Sequence, residues 1–116
     1  MGEGDCIFCK IANGEIPASI LNDADGVLAF RDIDPKAPTH VLVIPRRHIG
    51  SLNDTGESDQ ALLGRMVLAA RGIAHSEGLA EAGYRIVMNT GGHGGQSVDH
   101  IHIHVLGGRS LSWPPG

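Results

Sequence analysis

The chain has 116 residues, 41% of them apolar and 3% aromatic, and a formal charge of −4 from nine basic and 13 acidic side chains. That length suits one domain built on one core, and the acidic balance leaves no broad basic face for nucleic acid. No apolar run approaches the ~20 residues of a membrane span, and Met1-Gly2-Glu3-Gly4-Asp5 lacks the basic and apolar regions of a secretory leader, so the expected location is cytoplasmic and no membrane partner is expected.

A short helix is predicted from Cys9 to Asn13, stopped by Asn13-Gly14. Beyond Ile16-Pro17, Ser19 to Asn22 reads as an edge strand, Asp23-Ala24-Asp25-Gly26 as a hairpin turn, and Val27 to Phe30 as the return strand. Asp34-Pro35-Lys36-Ala37-Pro38 cannot join a ladder, because proline has no amide donor. Val41 to Ile44 is a buried central strand closed by Pro45. The long helix is expected from Ser58 to His75, since Leu62, Leu63, Met66, Val67, Ala70, Ile73 and Ala74 keep helical spacing and Gly78 suits its end. Tyr84 to Met88 and Ile101 to Leu106 supply two further strands. These elements define an α+β domain over residues 1–116: an antiparallel five-stranded sheet with one long and one short helix.

The chemistry concentrates in His100-Ile101-His102-Ile103-His104-Val105-Leu106. On a strand, residues at i, i+2 and i+4 share a face, so the three imidazoles would point one way and Ile101, Ile103 and Val105 the other. Such a row offers a nucleophile, a proton carrier and an orienting group, or else three ligands of a catalytic metal. The strand alone leaves both open. Upstream, Gly91-Gly92-His93-Gly94-Gly95-Gln96-Ser97 is in isolation a plain hairpin connection, but directly before the histidines an anion cradle of main-chain amides is the better reading. No Gly-Lys-Ser/Thr follows it, which excludes a Walker loop. Asp32 by itself reads as a turn residue. Cys6-x-x-Cys9 follows no strand that would build a thioredoxin-like unit, so a redox role is not expected. Two cysteines need two more ligands to close a zinc site, and His48 and His100 are the best candidates; free thiols are the alternative.

Five segments taken together resemble the histidine triad nucleotide-binding (HIT) family, in its Hint branch. They are Cys6-Ile7-Phe8-Cys9-Lys10-Ile11, Ala37-Pro38-Thr39-His40-Val41-Leu42-Val43-Ile44-Pro45, the Asn89-to-Val98 loop ending in Gly-Gln-Ser, the triad itself, and Leu106-Gly107-Gly108-Arg109 with Trp113-Pro114-Pro115-Gly116. The resemblance implies a HIT-like fold in a two-fold homodimer, with the tail 107–116 at the interface and near the active site. It also implies a purine nucleoside phosphoramidase that cleaves AMP or GMP from an amine. His102 would attack the α-phosphorus and carry the nucleotidyl group, with its other nitrogen held as a donor to a main-chain carbonyl. His104 and Ser97 would contact the phosphoryl oxygens or the leaving group, Gly95 and Gln96 would offer amides, and His40 would support the triad from the segment before the central strand. Asp32 would bind the ribose; Ile33, Phe8, Ile11, Ile20 and Phe30 are candidates to line the base slot, with a plain core role the alternative for each. Asn89 would lie near the scissile bond. Cys6, Cys9, His48 and His100 would hold a structural zinc not required for catalysis. His75 and His93 are expected to be exposed, His93 near the leaving group. The competing readings are a nucleotide-binding scaffold with incidental hydrolysis, a dinucleoside polyphosphate hydrolase and a zinc-dependent hydrolase.

Overall fold

A computed structural model describes residues 3–116; Met1 and Gly2, on which part of the expectation about a leader rests, lie outside the described residues. The short helix α1 spans Ile7–Ala12 and the long helix α2 Gln60–Ser76. The strands are β1 (Ile20–Ala24), β2 (Val27–Arg31), β3 (Thr39–Pro45), β4 (Tyr84–Val87) and β5 (Ile103–Gly107). They form one antiparallel five-stranded sheet in the order β1-β2-β3-β5-β4. No helix among the described residues is long and apolar enough to cross a membrane.

Several boundaries differ from those expected, each for a local reason. The first hairpin closes on Asp25 and Gly26 alone, with φ of 56° and 79°. A two-residue turn with both φ positive matches the twist of its strands, so Asp23 and Ala24 belong to β1, paired with Leu28 and Val27. α1 starts earlier than predicted because Cys6 caps it, its Sγ accepting the Cys9 amide at 3.4 Å. α2 starts at Gln60 rather than Ser58 because Glu57–Asp59 forms a 3₁₀ turn closed by Asp59 N–H to Gly56 O. Its end is a Schellman motif, with Gly78 N–H on His75 O and Leu79 N–H on Ala74 O at 2.8 Å, over the buried Leu79 side chain. β3 takes in His40, which therefore sits on the central strand and not before it.

Both faces of the central strands are buried, which the sequence shows as unbroken apolar runs. Val27, Ala29, Val41, Val43, Ile103 and Val105 face α2 and pack on Met66, Ala70, Ile73 and Ala74. Leu28, Phe30, Leu42 and Ile44 face α1 and pack on Cys6, Phe8, Cys9 and Ala12. Each large side chain so buried contributes roughly 1.5–3 kcal/mol, and the packing holds a six-residue helix that would not persist alone. His104 lies opposite Leu42 in the β3–β5 ladder, so the α1 face is where the histidines emerge.

Candidate active site

The triad does not lie on one strand. The β3–β5 ladder ends at Val43 opposite Ile103, and the first residue of the predicted strand takes a different partner: Ile101 N–H bonds Ile49 O at 2.7 Å. His100 and His102 therefore precede β5, and the row divides. His100 is fully buried and turns toward Cys6, Cys9 and His48. His102 and His104 stay together, ring centroids 4.9 Å apart. Phe8 of α1 sets its ring against the edges of both His100 and His102, at 5.9 and 5.1 Å, and keeps them apart from solvent.

Main-chain groups fix the protonation of the rings. His102 Nδ1–H donates to the His100 carbonyl at 2.7 Å, so Nε2 carries the lone pair. The Lys36 amide donates to His40 Nδ1 at 3.0 Å, so the proton of neutral His40 sits on Nε2. From there it is donated to His104 Nδ1 at 2.9 Å, which leaves His104 with its proton on Nε2. Burial pushes His40 and His102 below the ordinary histidine range, the Asp32 carboxylate partly opposing this in both. His104 is pushed down to about 4, first by burial and then by the neighbouring His102 and His40. At neutral pH the site thus presents a bare Nε2 on His102 beside an N–H on His104.

Both rings line a cavity of about 310 Å³, together with Phe8, Ile11, Phe30, Asp32, Ile33 and Ser97. Ile7, the first residue of α1, and Ile16, Pro17 and Ala18 of the loop after it also line the cavity; single apolar residues in such places carry no signal that marks them in sequence. Ile20, expected here, instead opens β1 opposite Phe30 and lies outside the lining. Ile33 is 96% exposed at the rim, where an apolar ligand would cover it. Asp32 is both a turn residue and a wall of the cavity: Oδ1 accepts the Asp34 amide at 2.8 Å, and Oδ2 lies 3.4 Å from His40 Nε2. Asn89 follows β4, half-buried and outside the lining, and His75 and His93 are exposed.

The glycine-rich loop differs in its chemistry from the expected cradle. The Gly95 amide is donated to Gly92 O and the Gln96 amide to Gly91 O, both at 3.1 Å, so neither is offered to an anion. Gln96 acts through its side chain: Oε1 accepts the Gly91 amide, and Nε2 donates to Gly50 O and Val98 O. It staples the loop shut and to the 50s segment. Ser97, next in the chain, is exposed and lines the cavity.

Two groups of side chains have metal-ligand spacing among the described residues, and neither is the triad. In the first, Cys6, Cys9, His48 and His100 bring four donor atoms within 4.8 Å of one another. His100 Nε2–H donates to the Pro45 carbonyl at 2.8 Å, which aims the Nδ1 lone pair at the cysteines, 3.3 Å from Cys6 Sγ. A ligand histidine held this way, two thiols and a second imidazole fit structural zinc. The second group, Asp32, His40 and His104, does not fit: the Lys36 amide occupies His40 Nδ1 and puts a proton on Nε2, the atom that would have to ligate.

Fold and site together define a class of small α+β proteins in which a buried histidine, paired with a second and braced by a third, opens onto an apolar cavity. The HIT domain family profile matches residues 13–111. An uncharacterised HIT-like protein of Synechococcus elongatus is 56% identical over 112 residues, 97% of either chain. The purine nucleoside phosphoramidase of Escherichia coli K12 is 53% identical over 107 residues, 92% of this chain and 90% of that protein. The crystal structure of a HIT family hydrolase from Legionella pneumophila superposes with a TM-score of 0.94 at 53% identity, covering 97% of this chain and all of that one. The chain belongs to the HIT domain family.

Proposed function

We propose that this protein is a purine nucleoside phosphoramidase that releases AMP or GMP from an amine through a nucleotidyl group carried on His102 Nε2. The observation that carries this reading is the His100 carbonyl on His102 Nδ1, which leaves a neutral imidazole with a bare Nε2 in the lining of an apolar cavity. In the first step Nε2 forms a bond to the α-phosphorus, the P–N bond breaks, and the amine departs after taking a proton from water. His102 becomes cationic, so its hydrogen bond to the carbonyl strengthens in the transition state, which is where a catalytic contact is most effective. His104 Nε2–H and the Ser97 hydroxyl contact the phosphoryl oxygens, Asp32 accepts from the ribose diol, and Phe8, Ile11, Phe30 and Ile33 enclose the base. Water then adds to phosphorus, the N–P bond breaks, and the nucleoside monophosphate leaves. The relative from Escherichia coli, a purine nucleoside phosphoramidase at 53% identity, supports the P–N reading over a dinucleoside polyphosphate substrate or a scaffold role.

The reading is tested with an adenosine 5′-phosphoramidate in chelating buffer. AMP release is expected to continue, since no metal enters the chemistry. The rate is expected to fall on acidification as His102 Nε2 takes a proton, and to do so below the ordinary histidine range, because burial holds that ring down. A rate that collapses on chelation while circular dichroism shows the protein still folded, and that returns with zinc, would establish the metallohydrolase instead.

Cys6, Cys9, His48 and His100 are proposed to hold zinc, which supplies a structural cross-link between the N-terminus of α1 and the segment entering β5. A homodimer is also proposed. β4 is an edge strand whose Tyr84 and Ile86 are 38% and 40% exposed, and no α2 contact of consequence covers them. A second copy's β4 would satisfy that edge, and light scattering is expected to give the mass of two chains; one chain's mass would refute it. The cytoplasm is the proposed location, where the thiols stay reduced.

A further inference from the structure

We propose that Arg109, outside the cavity, is a positioning residue for the histidine pair, acting through the main chain of Lys36; its catalytic consequence rests on the phosphoramidase reading above. Pro35 to Pro38 joins β2 to β3 without ladder bonds, yet its Lys36 amide is the group that sets the His40 tautomer. The carbonyl of the same residue accepts Arg109 Nη2 at 2.9 Å. The chain leaving β5 presses on the segment at a second point as well. Gly108 has φ of 92°, and a Cβ there would lie 2.8 Å from Pro38 Cβ. The Lys36 side chain is tied separately, its Nζ to Asp34 Oδ2 at 2.5 Å. Lys36 is thus held at its amide, its carbonyl and its ammonium, and the carbonyl tie comes from the root of the C-terminal tail.

The orientation of the Lys36 amide matters because each ring in the series passes its state to the next. With the amide in place, His40 keeps its proton on Nε2 and His104 keeps its own on Nε2, toward the cavity. If the segment relaxes, His40 can carry its proton on Nδ1, and its Nε2 lone pair then meets the lone pair of His104 Nδ1. His104 relieves that repulsion by moving its proton to Nδ1, and the cavity loses a donor where phosphoryl charge develops. The apolar walls are untouched. The effect therefore falls on turnover and not on binding.

The test uses the full chain with ¹⁵N-labelled histidine. In the wild-type protein His40 is expected to give the signals of a single tautomer, Nδ1 bare and Nε2 protonated. Arg109→Ala is expected to mix the two tautomers and to lower kcat by roughly tenfold, with KM changed by less than about twofold, the scale of coupling within one hydrogen-bond network. Arg109→Lys keeps one donor and is expected to regain most of the turnover. In a His40→Ala background, adding Arg109→Ala is expected to change kcat by less than about twofold, because the ring that transmits the effect is gone. A wild-type His40 pattern in Arg109→Ala, or losses that multiply in the double variant, would overturn the proposal. Absence of AMP release by the wild-type protein would instead count against the phosphoramidase reading, while the tautomer measurement still decides the role of Arg109.

Discussion

His102→Ala is expected to lower AMP release by on the order of 10⁴-fold or more, the scale of removing a covalent nucleophile whose partners remain. No other ring can substitute. His104 presents its proton rather than its lone pair to the cavity, and His100 faces the cysteines. The variant also leaves a fully buried carbonyl on His100 without its donor, at a cost of about 1–3 kcal/mol, so loss of activity has to be separated from loss of fold. His102→Gln serves that purpose, since its amide can still donate to the carbonyl but cannot attack phosphorus. Both variants are expected to be inactive, His102→Gln with near-wild-type urea unfolding, and AMP binding to change little in either. Mass spectrometry after mixing with a slow substrate is expected to show one nucleotidyl group on His102 in the wild type and none in the variants. Residual activity within about a hundredfold of wild type would place the chemistry elsewhere.

The architecture was legible because periodicity and punctuation agree with the packing. The unbroken apolar runs Val27 to Phe30 and Val41 to Ile44 are what two covered faces demand, and the α2 spacing is that of one buried stripe. The division of the triad was not legible. Alternation shows which side chains share a face only while the ladder lasts, and here the ladder stops at Ile103, where His100 is drawn to the Pro45 carbonyl and Ile101 to Ile49. The groups that set the tautomers are main-chain atoms of Lys36, Pro45 and His100, and a main-chain atom has no identity in sequence. Gln96 illustrates the opposite error. Its amide, expected to face an anion, is spent within the loop, and the side chain does the holding.

His100 joins the two halves of the site. Its imidazole belongs to the Cys6, Cys9 and His48 group, while its carbonyl holds the nucleophile's tautomer. The metal centre proposed for that group is therefore not in the path of the reaction, yet it anchors the residue on which His102 depends. This separates two effects that a chelator would otherwise blur: removal of metal acts on stability first, and on turnover only as far as His100 shifts.

Cys6→Ala is accordingly expected to cause a loss of stability well beyond that of removing one small buried side chain. Cys6 is fully buried, and it plays two parts: a zinc ligand under the proposal, and the N-cap of α1 through the Cys9 amide. Magnitudes tell them apart. Loss of a cap costs ~1 kcal/mol, whereas losing a structural metal, whose binding is itself folding free energy, falls in the tail of single-site effects at roughly 4–5 kcal/mol or more. Cys6→Ser is the deciding variant, because a serine hydroxyl caps a helix at least as well as a thiol but is a poor zinc ligand. Both variants are expected to lack zinc in native mass spectrometry and to unfold at similarly reduced urea concentrations, and chelation of the wild type is expected to bring it to the same midpoint. If Cys6→Ser instead recovers wild-type stability, or the wild-type protein unfolds identically with and without chelator, the cap accounts for everything Cys6 does and the proposed metal centre is wrong.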